Sequence, residues 1–130
     1  SYAEAAEKIL ARVLAGCGDI AACAKDMQGD AAAVYDALAA KLPVEVEFPR
    51  GDGTTVKRQL TSAMLEANAF YALYGPDDRA TFLRALAAAA RGELLPMLHL
   101  GYSNLAVDPE TGECGAAVAS MYPSVGTVVP

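Results

Sequence analysis

Tryptophan is absent from this chain, histidine occurs once, and aromatic residues make up only 7% of its 130 positions. One histidine and three cysteines with no C-x-x-C pair do not supply the ligands of a zinc site, so no metal or cofactor is expected. Basic residues are also scarce. Ten Lys and Arg stand against sixteen Asp and Glu, for a formal net charge of -6. Such a surface repels phosphate backbones, which argues against nucleic acid as a partner. Long apolar runs are missing: the quietest stretch, Ala85 to Ala90, is bracketed by Arg84 and Arg91. It falls well short of the roughly 18 to 20 residues that cross a bilayer, so no membrane partner is expected. The opening Ser1-Tyr2-Ala3-Glu4 has neither the basic nor the apolar region of a signal peptide. The glycines are dispersed at helix ends and form no phosphate loop or dinucleotide fingerprint.

What remains is apolar enough to fold. Hydrophobic residues are 54% of the chain and charged residues 20%, a balance that excludes disorder and suits a single domain with a buried core. Their spacing predicts a mainly helical protein of five to six helices with one inserted β-hairpin. Tyr2, Ala6, Ile9, Leu10, Val13 and Leu14 recur at helical steps up to Gly16. Cys17-Gly18-Asp19 turns into a short helical piece, Ile20 to Lys25. A Cys17–Cys23 disulfide would clamp that corner, and two buried free thiols fit the spacing equally well. Asp30 caps a third helix that Pro43 ends.

The period then drops to two. Val44, Val46 and Phe48 alternate with Glu45 and Glu47, and the turn-rich Pro49-Arg50-Gly51-Asp52-Gly53 leads to a second alternating run, which places a hairpin at about 44–58. Arg50-Gly51-Asp52 spells an adhesion tripeptide, but a turn explains it. Thr61 or Ser62 caps a fourth helix running to about Tyr74, with Leu60, Met64, Ala67, Tyr71 and Tyr74 on one face. Pro76 and the acids Asp77 and Asp78 open a fifth helix that Gly92 closes. A sixth starts near Glu93 with Pro96 in its first turn. The helical domain therefore spans 1–103. Residues 104–130 form a loosely specified tail, with a turn at Asp108 to Gly112, helical turns at Ala116 to Met121, and extended chain after Pro123.

Catalytic parts are sparse. Gly101-Tyr102-Ser103-Asn104-Leu105 starts like a nucleophile elbow, but its fifth residue is Leu and it follows a helix instead of a strand. Ser103 reads as a helix-end residue, and His99 as a helix-face histidine without a partner nucleophile. Asp108 to Glu113 lacks the spacing of a calcium loop.

The order of several segments carries a resemblance. Tyr74-Gly75-Pro76, the alanine-rich Phe82 to Ala90, the stop Arg91-Gly92-Glu93 and the restart Leu95-Pro96-Met97-Leu98 resemble the lid of tripeptidyl-aminopeptidase-like α/β-hydrolases. Cys17 to Cys23 is similar to the cysteine corner near the start of such lids, and the hairpin falls where that family places a short β excursion. The resemblance covers most of residues 1–100. It departs at Gly75, where a small hydroxyl residue is usual, and at the cysteine corner, which lacks Asp-Pro.

The resemblance implies that this is the cap domain of a secreted or periplasmic serine peptidase or esterase. The catalytic triad would lie in a hydrolase core outside these residues, and the fragment alone would be silent. Its partners would be that core and a peptide substrate. The free N-terminus of a peptide is a cation, which an acid in a partly desolvated cleft holds well. Glu66 is the first candidate, because it borders Phe70, Tyr71 and Tyr74, whose rings would form an apolar wall with hydroxyl tips. Ordinary core aromatics beside a solvated glutamate would produce the same pattern. Glu45 and Glu47 are weaker candidates. The alternative function is a free-standing acidic helical module that binds a basic or amphipathic partner.

Overall fold

A computed structural model describes residues 1–112. Of the tail expected over 104–130, residues 113–130, Cys114 among them, lie outside the described residues. The domain is mainly helical with one β-hairpin. Six α-helices are α1 (Tyr2–Gly16), α2 (Ala21–Met27), α3 (Ala31–Lys41), α4 (Ser62–Tyr71), α5 (Pro76–Ala90) and α6 (Leu95–Leu105). A 3-10 turn over Cys17–Asp19 joins α1 to α2, and the strands β1 (Val44–Pro49) and β2 (Thr55–Leu60) stand between α3 and α4.

Local chemistry sets most of these boundaries. The Ser1 hydroxyl accepts from the Glu4 backbone N–H at 3.3 Å and the Ser1 backbone nitrogen donates to the Glu4 carboxylate at 3.2 Å, forming a capping box at the start of α1. The Asp30 carboxylate accepts from the Ala32 N–H at 3.3 Å, and the Thr61 hydroxyl from the Met64 N–H at 3.2 Å, so α3 and α4 each start on a side-chain cap. Pro76 sits in the first turn of α5, where its missing N–H costs nothing. At the other end Gly92 takes φ +87°, and the Gly92 and Glu93 N–H groups donate to the Ala89 and Ala88 carbonyls at 3.0 and 2.9 Å. That left-handed stop suits glycine, which has no Cβ to clash.

Helix α5 is the centre of the domain, in contact with α2, α3, α4 and α6. Phe82 and Leu86 are fully buried, and Ala85, Ala87, Ala88 and Ala89 are buried around them. The small alanine side chains let neighbouring helices approach closely on several sides. The α4–α6 contact is closer still. Gly101 of α6 lies so near α4 that a Cβ on it would stand 2.9 Å from both Cβ and Cγ of Met64. The hairpin pairs antiparallel, with Val46 opposite Arg58 and Phe48 opposite Val56, and it packs on α6. Val46, Phe48 and Leu60 point into the core, while Glu45 and Glu47 face water and Lys57 pairs with Glu45 at 3.6 Å. At the far end of α6, Arg58 donates to the carbonyls of Pro109 at 3.0 Å and Glu110 at 2.7 Å, which ties residues 108–112 back onto the hairpin.

Several boundaries and one helix face differ from the sequence-based expectations. α2 extends to Met27, β2 continues to Leu60, and α6 begins at Leu95 and runs two residues past 103. α4 stops at Tyr71, with Leu73 and Tyr74 in turns that donate to the Phe70 and Tyr71 carbonyls at 3.1 Å. The face that α4 buries is Met64, Leu65, Asn68 and Ala69, with Ala72 just beyond, so Tyr74 is excluded from it. Apolar residues occur all around this helix, and their spacing therefore did not single out the inward side. The polar Asn68 lies at the centre of the buried face, 1% exposed. Its amide donates to the Met97 carbonyl at 3.1 Å and its oxygen accepts from the Asn104 amide at 2.8 Å, so the buried polar group is satisfied.

Candidate functional site

The α4–α5 corner gathers the aromatic residues singled out in the sequence. Phe70, Tyr71 and Tyr74 form a mutual cluster with ring centroids 5.3–5.7 Å apart. Offset and edge-on arrangements at such distances are favourable for rings. Phe70 is nevertheless 50% exposed and Tyr74 67% exposed, while Tyr71 is half-buried. The cluster is held by the last turn of α4 and the short connection into α5, so its shape follows from where α4 stops.

Glu66 lies one helical turn before Phe70 and is exposed. Its charge reaches the phenol of Tyr35 on α3, whose pKa is raised, first by burial, then by Glu66 and by Asp36. The Tyr35 ring is anchored beneath by Phe82, at a centroid distance of 6.3 Å. Glu66 thus stands between the last turn of α4, which carries Phe70, and the Tyr35 phenol that its charge reaches. An apolar surface beside a carboxylate binds a cation flanked by an apolar group, but it does not itself move a proton.

The residues considered for chemistry do not assemble a reaction centre. His99 and Ser103 are one turn apart on α6 and line a shallow recess of about 410 Å³ with Thr81 and Arg84. No hydrogen bond joins them, and the His99 ring instead packs on Phe48 at 5.1 Å. Asp108 accepts from the Glu110 and Gly112 N–H groups at 2.9 and 2.6 Å, the bonds of a plain turn. Among the described residues, no group of three His, Cys, Asp or Glu could hold a metal ion. No helix of the described residues is long and apolar enough to cross a membrane. Cys17 and Cys23 are joined by a disulfide, with Cα atoms 5.2 Å apart, and the bridge closes the corner between α1 and α2.

Next to that corner lies a feature that the sequence did not disclose. A groove of about 730 Å³ runs between α1, α2 and α5, floored by Ile9, Val13, Ile20, Ala80 and Leu83. Arg12, Arg79 and Arg84 stand along it, together with Asp26. Helices α1 and α2 follow one another, but α5 comes much later in the chain, so no single motif encodes it. The faint signal was Ile9, which belongs to the apolar stripe of α1 and yet remains 42% exposed.

No protein-family model, curated protein or solved structure matches the chain.

Proposed function

We propose that this domain is the lid of an α/β-hydrolase-type serine peptidase, covering the active site of a secreted parent and shaping access to it, with no catalysis of its own. The observation that carries this reading is the exposed Phe70–Tyr71–Tyr74 cluster beside Glu66. Aromatic rings left half in water at a helix corner are unfavourable unless something covers them, and covering each returns on the order of 1–2 kcal/mol. The cluster also includes Tyr74 of Tyr74-Gly75-Pro76, one of the segments that carry the resemblance to hydrolase lids. Glu66 is exposed in the domain, where an ion pair contributes little. A core docked over it would exclude water and strengthen its hold on the free amine of a peptide.

The disulfide at the α1–α2 corner supports an exported parent, because such bonds persist in oxidising compartments. His99 packs on Phe48 and makes no hydrogen bond to Ser103, which supports placing the nucleophile elsewhere.

Two experiments test this reading. The natural reading frame is sequenced on both sides, with the expected result that these residues lie between hydrolase strands carrying a nucleophilic serine before them and a histidine after. A natural product consisting of these residues alone would sink the proposal. In the parent enzyme, Glu66→Gln should raise KM for peptide p-nitroanilides with a free N-terminus and leave N-acetylated esters unaffected. Equal effects on both substrates would remove Glu66 from the amine site.

A further inference from the structure

We propose that the groove between α1, α2 and α5 is a binding site for a fatty carboxylate, a single apolar chain ending in an anion. Its apolar floor is Ile9, Val13, Ile20, Ala80 and Leu83, and its volume of about 730 Å³ lies within the roughly 300–1,000 Å³ usual for small-molecule sites. Ile9 and Ile20 are 42% and 56% exposed, so the apolar surface is open to a ligand.

Charge selects the class of ligand. The chain as a whole is acidic, at -6, yet three of its ten basic residues line this one groove. The Arg12 and Arg79 side chains form no ion pair or hydrogen bond among the described residues, although Arg79 is half-buried. Among the described residues the Arg84 guanidinium donates only to the Thr81 hydroxyl, at 3.3 Å. The one carboxylate lining the groove, Asp26, is already paired with Arg91 at 3.0 Å. Guanidinium groups beside an apolar trough, with donors unspent, match a carboxylate head on an apolar chain, because a planar fork binds the two oxygens together. Asp77 and Asp78 open the same helix, but neither lines the groove. The site is separate from the aromatic corner and stands whether or not these helices cover a hydrolase.

The test is calorimetric titration of the 130-residue chain with monomeric decanoate, and with 1-decanol as the neutral control. Decanoate should bind saturably at one site, at least about tenfold more tightly than decanol. The double variant Arg12→Gln/Arg79→Gln should lose that preference while binding decanol as before. Ile20→Asp should weaken both ligands, and because Ile20 is exposed and Asp is a favoured N-cap for α2, the fold should survive. Absence of saturable binding, equal affinity for the two probes, or unchanged decanoate affinity in the arginine variant would overturn the proposal. So would binding to phosphatidylglycerol vesicles without binding of monomeric decanoate.

Discussion

Gly101→Ala puts two effects of opposite sign into direct competition. In an exposed helix interior, replacing glycine with alanine stabilises by up to about 1 kcal/mol. At position 101 the added Cβ would meet Met64 Cβ and Cγ at 2.9 Å. Carbon pairs rest at about 3.5–4.0 Å, so α4 and α6 would have to separate by at least about 0.6 Å. The obstacle is the root of the Met64 side chain, which cannot swing aside as its tip could. Overpacking of this kind costs about 1–3 kcal/mol, which leaves Gly101→Ala destabilising by up to about 2 kcal/mol after a helical gain of about 1 kcal/mol. For a domain of this size that lowers Tm by up to about 8 °C, read by circular dichroism with urea titrations alongside. Gly16→Ala is the matched control. Gly16 also has helical dihedrals, φ -62° and ψ -23°, and nothing lies within 4 Å of its added Cβ. That variant should be neutral or more stable. In a Met64→Ala background the contacts with Cγ and Sδ are gone but the Cβ contact at 2.9 Å remains, so the Gly101→Ala penalty should shrink without disappearing, a coupling of up to about 1–2 kcal/mol. A Gly101→Ala protein as stable as Gly16→Ala would refute the close α4–α6 contact.

Asn68→Ala removes the bonds to Met97 and Asn104 inside the core and should cost about 2–4 kcal/mol, with Asn104→Ala non-additive by about 1 kcal/mol in a double-mutant cycle. Replacing Cys17 and Cys23 together with alanine releases a cross-link six residues long in sequence and should cost about 2 kcal/mol, measured by urea unfolding under oxidising conditions. Tyr35 should titrate above the ordinary phenol value of about 10, followed by NMR of its ring carbon. Because the folded pKa is raised, the associated stability is present below pH 10 and is lost as pH rises through the folded value. Glu66→Gln should lower that midpoint without restoring it, since burial is the larger cause. An unchanged midpoint would place Glu66 away from the phenol.

The helices and the hairpin were legible because their signals are local. Asp30, Thr61, Pro76 and Gly92 act through backbone groups two to four residues away, and the alternation of Val44, Val46 and Phe48 with acids encodes one wet and one buried strand face. The candidate site was legible only in part. Phe70, Tyr71 and Tyr74 were close in sequence and do cluster, but whether rings are core or surface depends on which side of α4 meets α6. Residues 60–74 are apolar in nearly every direction, so that side was decided by Gly101 admitting Met64 and by Asn68 finding partners on α6.

Short-range order therefore came from the chain's own propensities: where helices begin and stop, where the period changes, and which residues turn. Everything that depends on how those pieces lean on one another arose in the packed domain. The exposure of Phe70 and Tyr74, the phenol of Tyr35 beside Glu66, and the arginine-lined groove all belong to that second class. The physical reason is range. A cap or a turn is settled by covalent neighbours, whereas a groove exists only between surfaces whose distance apart the rest of the core enforces.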